Sequence, residues 1–169
     1  RVALILGQGI DIKDAIEQAK DHYFDTPYGK PSARFISGKI KNTQVVILDR
    51  QGPENDIPAF AVNYKANMFV LHEFECTHIL ATSSCGSLQE EILVGEFVVF
   101  DQFIDLTKHR ELTYTDQLPL EKLNLAAFHI PFSNDIRNAI IEAAVIKGYT
   151  IHTKGTVLAV DGPRQSTRA

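Results

Sequence analysis

The sequence lacks tryptophan and has little sulfur, with one methionine and two cysteines, Cys76 and Cys85. The two cysteines form no C-x-x-C pair, and a single pair of cysteines cannot make a disulfide framework. With no secretory signal at the start of the sequence, we expect a reducing cytoplasm. No apolar run approaches the roughly 20 residues that a membrane-spanning helix needs. Positive charge is not in excess either, since the formal net charge of −4 gives no basic surface for a phosphate backbone. We therefore expect neither nucleic acid nor a membrane among the partners.

What remains is the composition of a globular domain. The 169 residues are 44% hydrophobic and 22% charged, close to the average of soluble domains and sufficient for a buried core. Neither an internal repeat nor a linker divides the sequence, so we expect one domain over residues 1–169. The chain starts at Arg1, directly before an apolar run, and ends at Ala169 without a closing helix. We expect from this that it is truncated, above all at the C-terminus.

Short apolar or β-rich stretches alternate with helical patterns along the chain. The predicted strands are residues 2–6, 33–40, 43–48, 77–82, 96–100 and 149–160. Lys41 and Asn42 separate two of these strands and predict a hairpin. The alternation predicts a mostly parallel α/β sheet that is covered on both faces. Its central strands are expected where the sequence is continuously apolar, at residues 2–6, 43–48 and 77–82.

Two segments have helical periodicity, residues 60–74 and residues 135–147. For the second helix, Asn134 is the predicted N-cap and Gly148 the predicted C-cap. The expected buried stripe of this helix consists of Ile136, Ala139, Ile140, Ala143 and Ala144. Residues 107–124 are charged and aperiodic, and we expect them to form a long excursion outside the core.

Three segments carry candidate binding chemistry. Gly7-Gln8-Gly9 follows the first predicted strand, where the amides of a glycine turn can bind an anion, although a plain strand–loop turn fits equally. Ile12 stands where a dinucleotide-binding fingerprint requires a third glycine. The hydroxyl-rich residues 82–87 either bind phosphate or sugar oxygens at the carboxyl end of a strand or form an ordinary turn. Residues 161–168 place two arginines after a Gly-Pro turn, which favours either an anionic ligand or a solvated turn.

Other polar residues give weaker signals. Asn63 and Asn67 share one face of the first predicted helix, where they either line a pocket or face solvent. The six histidines are scattered without metal-ligand spacing, so no metal site is predicted. Cys85 has no histidine partner at motif spacing, and no catalytic nucleophile is identified.

Further motifs follow one another over essentially the whole chain. They are DTPYGKPS at residues 25–32, VNYKAN at 62–67, CGSLQEE at 85–91, DQFID at 101–105, HIP at 129–131, and GT at 155–156 followed by DGPR at 161–164. In this order they resemble the methylthioadenosine phosphorylase branch of the purine nucleoside phosphorylase family. The resemblance implies an α/β fold with a mixed, distorted sheet flanked by helices, and assembly as a homotrimer.

The resemblance also implies a reaction. It is phosphorolysis, in which a purine nucleoside such as 5′-methylthioadenosine reacts with phosphate to give free base and a sugar 1-phosphate. Phosphate is then a co-substrate, and no cofactor is implied. The expected phosphate-binding residues are Gly7, Gln8, Gly9, Arg50, Ser83 and Ser84. The expected nucleoside-binding residues are Asn63, His129, Gln165 and Ser166, and His129 matches a residue that reaches into the neighbouring subunit.

The sequence departs from the family mainly at the residues expected to bind phosphate, and at one residue expected to contact the base. Gln8 stands in place of a threonine, and Gln165 in place of a phenylalanine that stacks on the base. Three residues replace the His, Arg and His of the family's phosphate loop: Gln51, Pro53 and Asn55. Each charge-assisted hydrogen bond contributes roughly 1.5–3 kcal/mol, so a loop that keeps only Arg50 is expected to bind phosphate weakly. The family's C-terminal part, with the aspartates that protonate the purine, is absent from this chain.

Two classes of function therefore stay open. The first is a pentosyltransferase of the nucleoside phosphorylase type with a degraded phosphate site. The second is a catalytically impaired relative that keeps the fold for ligand binding or assembly. A variant that uses water as its nucleophile, similar to a nucleoside hydrolase, is a further alternative.

Overall fold

A computed structural model describes residues 1–111, 113–114 and 128–162. The chain divides into two compact units, Arg1–Cys85 and Gly86–Ala169. The expectation of one domain over residues 1–169 stays a prediction. None of the helices in the described part of the chain is long and apolar enough to cross a membrane.

The first unit contains a five-stranded sheet. Its strands are β1 (Val2–Leu6), β2 (Glu17–His22), β3 (Phe35–Ile40), β4 (Thr43–Asp49) and β5 (His78–Ala81), in the order β2-β3-β4-β1-β5. β1 runs parallel to β4 and to β5, whereas β2, β3 and β4 pair antiparallel in succession. The mixed sheet implied by the family resemblance is confirmed. The mostly parallel sheet inferred from alternation is wrong, because hairpin connections join β2, β3 and β4.

The core of this unit surrounds β4, which is apolar on both faces. One cluster of buried side chains comprises Ala3, Phe35, Val46, Leu48, Val70 and Leu71. The cluster on the other face comprises Leu6, Ile36, Val45 and Ile47. The continuous apolar run of β4 thus reflects burial on both sides.

The predicted central positions of β1 and β4 are confirmed, but that of β5 is wrong. Among the described residues no strand pairs with the outer side of β5, and Ile79 is 38% exposed. β2 was not predicted at all. All of its residues except Ala19 are polar, and all except the half-buried His22 are exposed. This composition suits an edge strand but gives no alternating pattern.

Helix α1 spans Tyr64–Glu73 and begins later than predicted. Residues Ala59–Ala61 form a separate 3₁₀ turn after Pro58. The α-helix starts after Asn63, whose Oδ1 accepts the Ala66 N–H at 3.0 Å. An N-cap side chain of this kind satisfies a backbone donor that the first helical turn leaves unpaired.

The second unit contains two parallel strand pairs and one helix. β6 (Phe97–Val98) pairs with β8 (Ile151–His152), and β7 (Gln102–Asp105) pairs with β9 (Thr156–Ala159). The strand predicted at residues 149–160 is therefore two short strands, interrupted at residues 153–155. Most of the excursion predicted at residues 107–124 lies outside the described residues.

Helix α2 spans Asn134–Lys147. Gly148 ends it in the left-handed conformation with φ of 73°, as predicted, but Ser133 rather than Asn134 is the N-cap. The predicted buried stripe is wrong: no residue of α2 is buried. Ile136, Ile140 and Ala144 are half-buried, while Ala139 and Ala143 are exposed. Burial requires a packed layer, and every buried residue in the described part of the chain belongs to the first unit.

Candidate functional site

An open cleft of about 210 Å³ lies at the carboxyl ends of β1 and β4. These parallel strands end side by side, with Leu6 paired to Asp49. The residues that line the cleft all come from the segments that leave the two strands, residues 6–13 and 49–55. The carboxyl ends of adjacent parallel strands are a common position for ligand sites in α/β sheets.

The glycine turn after β1 forms one wall of the cleft. Gly7 is buried, and its N–H donates to Thr82 Oγ1 at 2.9 Å. A Cβ at this position would lie 2.7 Å from the Thr82 carbonyl oxygen, so the close approach of β1 to the end of β5 requires glycine. Gly9 has a φ of 81° and nothing within 4 Å of a Cβ built on it. Glycine is thus needed at residue 7 for space and at residue 9 for backbone conformation.

Arg50 is the first residue after β4 and lines the cleft together with Gly7 and Gly9 of the glycine turn. Its N–H donates to the Leu6 carbonyl at 3.2 Å, which extends the β1–β4 pairing by one residue. Its side chain is half-buried, and the Nε atom is shielded from solvent without a hydrogen-bond partner among the described residues. A buried guanidinium N–H without an acceptor carries a desolvation cost. Arg50 is one of the residues that line the cleft, so an acceptor bound there that reached this N–H would remove the cost.

The loop after Arg50 folds back on itself. The Gln51 side chain donates through Nε2 to the Ile57 carbonyl at 3.3 Å, and the Ile57 N–H donates to the Gln51 carbonyl at 2.9 Å. Pro53 and Asn55 both line the cleft. Two of the three positions that the family resemblance predicts to be cationic are therefore at the cleft surface. At the third, the side chain of Gln51 is bonded to the loop's own backbone.

The other expected phosphate-binding residues are near the glycine turn but outside the cleft lining. Gln8, Ser83 and Ser84 are exposed, and none has a side-chain hydrogen bond within the described part of the chain. Ser83 lies beside the turn, because its Cα is 3.5 Å from the position of a Cβ on Gly7. The glycine turn and Arg50 are thus brought together at the cleft, and the two serines follow the neighbouring strand.

Asn63 and Asn67 have structural hydrogen bonds instead of a place in the cleft. Asn63 Nδ2 donates to the Tyr28 carbonyl at 2.7 Å, in addition to the N-cap bond of its Oδ1. Asn67 is 3% exposed, accepts the Ser32 N–H at 2.9 Å and donates to Ser32 Oγ at 2.8 Å. Both asparagines therefore hold the DTPYGKPS segment against α1. A nucleoside-binding role of Asn63 stays a prediction.

The remaining predicted site residues are in the second unit. His129 is exposed, and its carbonyl accepts a hydrogen bond from Gln102 Nε2 at 3.0 Å. Gln165 and Ser166 lie outside the described residues. Within the described ranges, no group of three or more His, Cys, Asp or Glu side chains is placed to hold a metal ion.

Asp161, which opens the predicted arginine turn, is bonded within the second unit. Its Oδ2 accepts the N–H groups of Lys108 at 2.6 Å and His109 at 3.2 Å. These bonds, that to Lys108 first, hold the pKa of the Asp161 carboxyl below its usual range. Asp161 thus anchors residues 108–109 to the segment that follows β9.

Sequence reasoning missed three charged residues of the cleft: Asp11, Lys13 and Asp49. The signal was present, since Asp11 and Lys13 follow the glycine turn by two and four residues. What was not visible in the sequence is that the chain after Gly9 stays at the cleft instead of leaving it.

The chain is similar to known proteins over its whole length. The family model described as "Phosphorylase superfamily" matches residues 1–169. An S-methyl-5′-thioadenosine phosphorylase from Danio rerio is 42% identical over 173 residues, which cover 100% of this chain and 61% of the relative. One from Thermofilum pendens is 37% identical over 169 residues, covering 100% of this chain and 63% of the relative. This chain therefore spans about three fifths of the length of these relatives.

Solved structures show the same similarity. Methylthioadenosine phosphorylase from Schistosoma mansoni in complex with tubercidin superposes with a TM-score of 0.90 at 34% sequence identity. The match covers 99% of this chain and 66% of that chain. A variant of the Schistosoma protein in complex with methylthioadenosine also gives a TM-score of 0.90 at 34% identity, covering 99% of this chain and 65% of that chain.

Proposed function

The chain belongs to the phosphorylase superfamily, and on this basis we propose that it acts in the phosphorolysis of a purine nucleoside such as 5′-methylthioadenosine. The products are free purine and a sugar 1-phosphate. The names of the relatives support this substrate class. The single observation that carries the proposal is the unpartnered, solvent-shielded Nε of Arg50 at a cleft formed with the glycine turn.

In this proposal the cleft holds the phosphate dianion. The proposed donors are the backbone N–H groups of Gln8 and Gly9 and the Arg50 guanidinium, because the Gly7 N–H is already bonded to Thr82 Oγ1. Ser83 and Ser84 are proposed to contribute from the end of the neighbouring strand. A phosphate oxygen forms a bond to the anomeric carbon of the sugar while the bond from that carbon to the purine nitrogen breaks. The electron pair of the broken bond leaves with the purine, which takes up a proton. The hydrogen phosphate gives up one proton as it becomes the sugar 1-phosphate dianion, so the overall step balances. The sugar passes through a state similar to an oxocarbenium ion, and an adjacent dianion held in fixed geometry stabilises that positive charge.

This mechanism requires neither a covalent nucleophile nor a cofactor, because phosphate itself is the attacking group. It does require that phosphate is bound, and here the chain departs from its family. Gln51, Pro53 and Asn55 provide no positive charge. The loss of two charge-assisted hydrogen bonds at roughly 1.5–3 kcal/mol each lowers phosphate affinity by orders of magnitude. We therefore propose a weakened phosphate site.

The wider assembly is part of the same proposal. We propose a cytoplasmic homotrimer in which His129 completes the sugar pocket of the neighbouring subunit. Asn63, Gln165 and Ser166 are proposed to contact the nucleoside. Light scattering tests the assembly, and a stable monomer at micromolar concentration would remove the role of His129.

The function is tested by incubating the purified protein with 5′-methylthioadenosine, with and without inorganic phosphate. Chromatography then measures adenine and sugar 1-phosphate. We expect both products only when phosphate is present. Adenine release without phosphate would identify a hydrolase, and no release under either condition would favour the catalytically impaired alternative.

A matched pair of arginine variants connects the activity to the cleft. Arg50→Gln removes the guanidinium at the cleft and is expected to reduce phosphate-dependent cleavage at least tenfold. Arg34→Gln removes a half-buried guanidinium from the residue just before β3, where its Nε lies 3.0 Å from Asp21 Oδ2 and outside the cleft lining. It is expected to retain activity. Equal losses of phosphate-dependent cleavage in the two variants would show that Arg50 affects activity only through the stability of the fold.

A further inference from the structure

A lysine lines the same cleft as Arg50. Lys13 is the first residue of a short 3₁₀ turn, Lys13–Ala15, that follows the glycine turn along the chain. The loop after Arg50 has lost its family cations, so Arg50 and Lys13 are the basic residues among those that line the cleft. Positive charge at this cleft therefore comes partly from a segment that the phosphate loop does not include.

The position of Lys13 is determined by its neighbours. Ile12 and Ile16, on either side of the 3₁₀ turn, pack against the buried cluster that includes Leu6 and Ile47. The Ile16 N–H donates to the Lys13 carbonyl at 3.2 Å, which closes the turn. Apolar contacts thus fix the backbone at residues 12 and 16, and the lysine between them is kept at the edge of the cleft.

Asp11 makes two contacts with Lys13. Its Oδ1 accepts the Lys13 N–H at 2.9 Å, which fixes the backbone. Its Oδ2 lies 4.0 Å from Lys13 Nζ, with the aspartate and lysine side chains 70% and 48% exposed. This distance exceeds that of a hydrogen bond, and exposed pairs of this kind are worth little. The ammonium group is therefore held loosely and is free to move to a stronger anionic partner.

The charge balance of the cleft shows why the weak contact between Asp11 and Lys13 matters for anion binding. Two basic residues, Lys13 and Arg50, and two acidic residues, Asp11 and Asp49, line the cleft. With both acids ionised these charges cancel, and such a cleft has no net attraction for a dianion. Movement of the ammonium from Asp11 to the incoming anion places a second cation directly on the phosphate.

We propose that Lys13 is a phosphate-binding residue of this chain and that Asp11 competes with phosphate for its ammonium group. Lys13 then replaces part of the positive charge that Gln51, Pro53 and Asn55 do not supply. This inference rests on the proposed function, since it takes phosphate as the occupant of the cleft. It goes beyond that function by assigning the anion a second cation from outside the phosphate loop.

The experiment is calorimetric titration of the purified protein with inorganic phosphate at constant ionic strength. Lys13→Met is expected to weaken phosphate binding about tenfold or more, and Lys13→Arg is expected to restore most of the loss. Lys39→Met is the matched control, because Lys39 is an exposed strand residue outside the cleft lining. It removes the same charge and is expected to leave phosphate binding within about twofold of the wild type.

A second variant changes phosphate binding in the opposite direction. Asp11→Asn keeps an oxygen that can accept the Lys13 N–H but removes the competing negative charge. It is expected to strengthen phosphate binding several-fold. A purely structural role of residues 11–13 would not produce opposite effects from the two substitutions. Adenine binding, measured in parallel, is expected to be unchanged in both variants.

The outcomes separate the inference from the proposed function. If Lys13→Met and Lys39→Met bind phosphate with equal affinity while Arg50→Gln weakens phosphate binding, Lys13 does not bind phosphate and the proposed function stands. If Asp11→Asn weakens binding, the competition is refuted and Asp11 serves only to hold the turn. If the wild-type protein binds no phosphate, both this inference and the phosphate-dependent function are overturned.

Discussion

Replacement of Gly7 by alanine tests whether the close contact between the glycine turn at the cleft and Thr82, the residue after β5, requires glycine. A Cβ on residue 7 would lie 2.7 Å from the Thr82 carbonyl oxygen and 3.3 Å from the Thr82 carbonyl carbon. Thr82 has little freedom to retreat. Its N–H donates to the Ile5 carbonyl at 3.0 Å, and its Oγ1 accepts the Gly7 N–H at 2.9 Å.

The cost follows from this geometry. Relief of the contact requires the two backbones to separate by about half an ångström, and overpacking of this kind costs about 1–3 kcal/mol. The same displacement stretches the bond from the Gly7 N–H to Thr82 Oγ1, which is worth about 1 kcal/mol. We therefore expect Gly7→Ala to lower the free energy of unfolding by about 2–4 kcal/mol, which corresponds to a melting temperature lower by about 4–16 °C.

Gly9→Ala is the matched control, because it adds the same methyl group in the same turn. Nothing lies within 4 Å of that methyl position, so its cost comes from the φ of 81° alone and is about 1–2 kcal/mol. Urea unfolding, followed by circular dichroism, measures the free energy of unfolding of the wild type and of both variants. If Gly7→Ala proves as stable as Gly9→Ala, the argument from the Thr82 contact is refuted.

The remaining predictions concern phosphate affinity, the hydrogen bonds of α1 and acid stability. A fourfold variant that introduces the residues predicted from the family resemblance is expected to strengthen phosphate binding more than purine binding in calorimetry. Its substitutions are Gln8→Thr, Gln51→His, Pro53→Arg and Asn55→His. Low-micromolar phosphate binding by the wild type would refute the proposed weak phosphate site. Asn67→Ala removes two hydrogen bonds to Ser32 from a residue that is 3% exposed, so thermal melting should show a loss of about 2–3 kcal/mol, whereas Ser32→Ala should lose less. The hydrogen bond from His152, at 2.7 Å, lowers the pKa of Glu96. The ionised Glu96 therefore stabilises the folded state above the unfolded-state pKa of a glutamate, and this stabilisation is lost as the pH falls through the lowered pKa. In urea unfolding, the free energy of unfolding of Glu96→Gln should depend less on acidic pH than that of the wild type.

Local patterns in the sequence predicted the elements whose structure depends on near neighbours. β1 has the predicted bounds, and the hairpin at Lys41 and Asn42 is confirmed by the pairing of Ile40 with Thr43. α2 was predicted within one residue, and Gly148 ends it as expected. These elements follow from apolar runs, helical periodicity and turn residues, which act over a few positions.

Patterns failed where long-range contacts decide the outcome. β2 is an edge strand with a bulge, seen in its register shift between Glu17 and Lys20 and in the φ of 56° at Gln18. Pairing with β3 forms this strand, since its own polar sequence has no strand periodicity. The expected burial of α2 failed for the same reason, because periodicity indicates a face but not whether anything covers it.

The residues of the candidate site also differ in whether the sequence alone could identify them. Gly7, Gly9 and Arg50 were identified from the sequence through the glycine turn and the family motifs, and all three line the cleft. Lys13 was not identified, because its place depends on the packing of Ile12 and Ile16 against the sheet. By itself the sequence determined the family and the residue types available to bind an anion. The tertiary structure decided which of them meet, since parallel pairing of β1 with β4 brings Leu6 beside Asp49 across a separation that no local pattern spans.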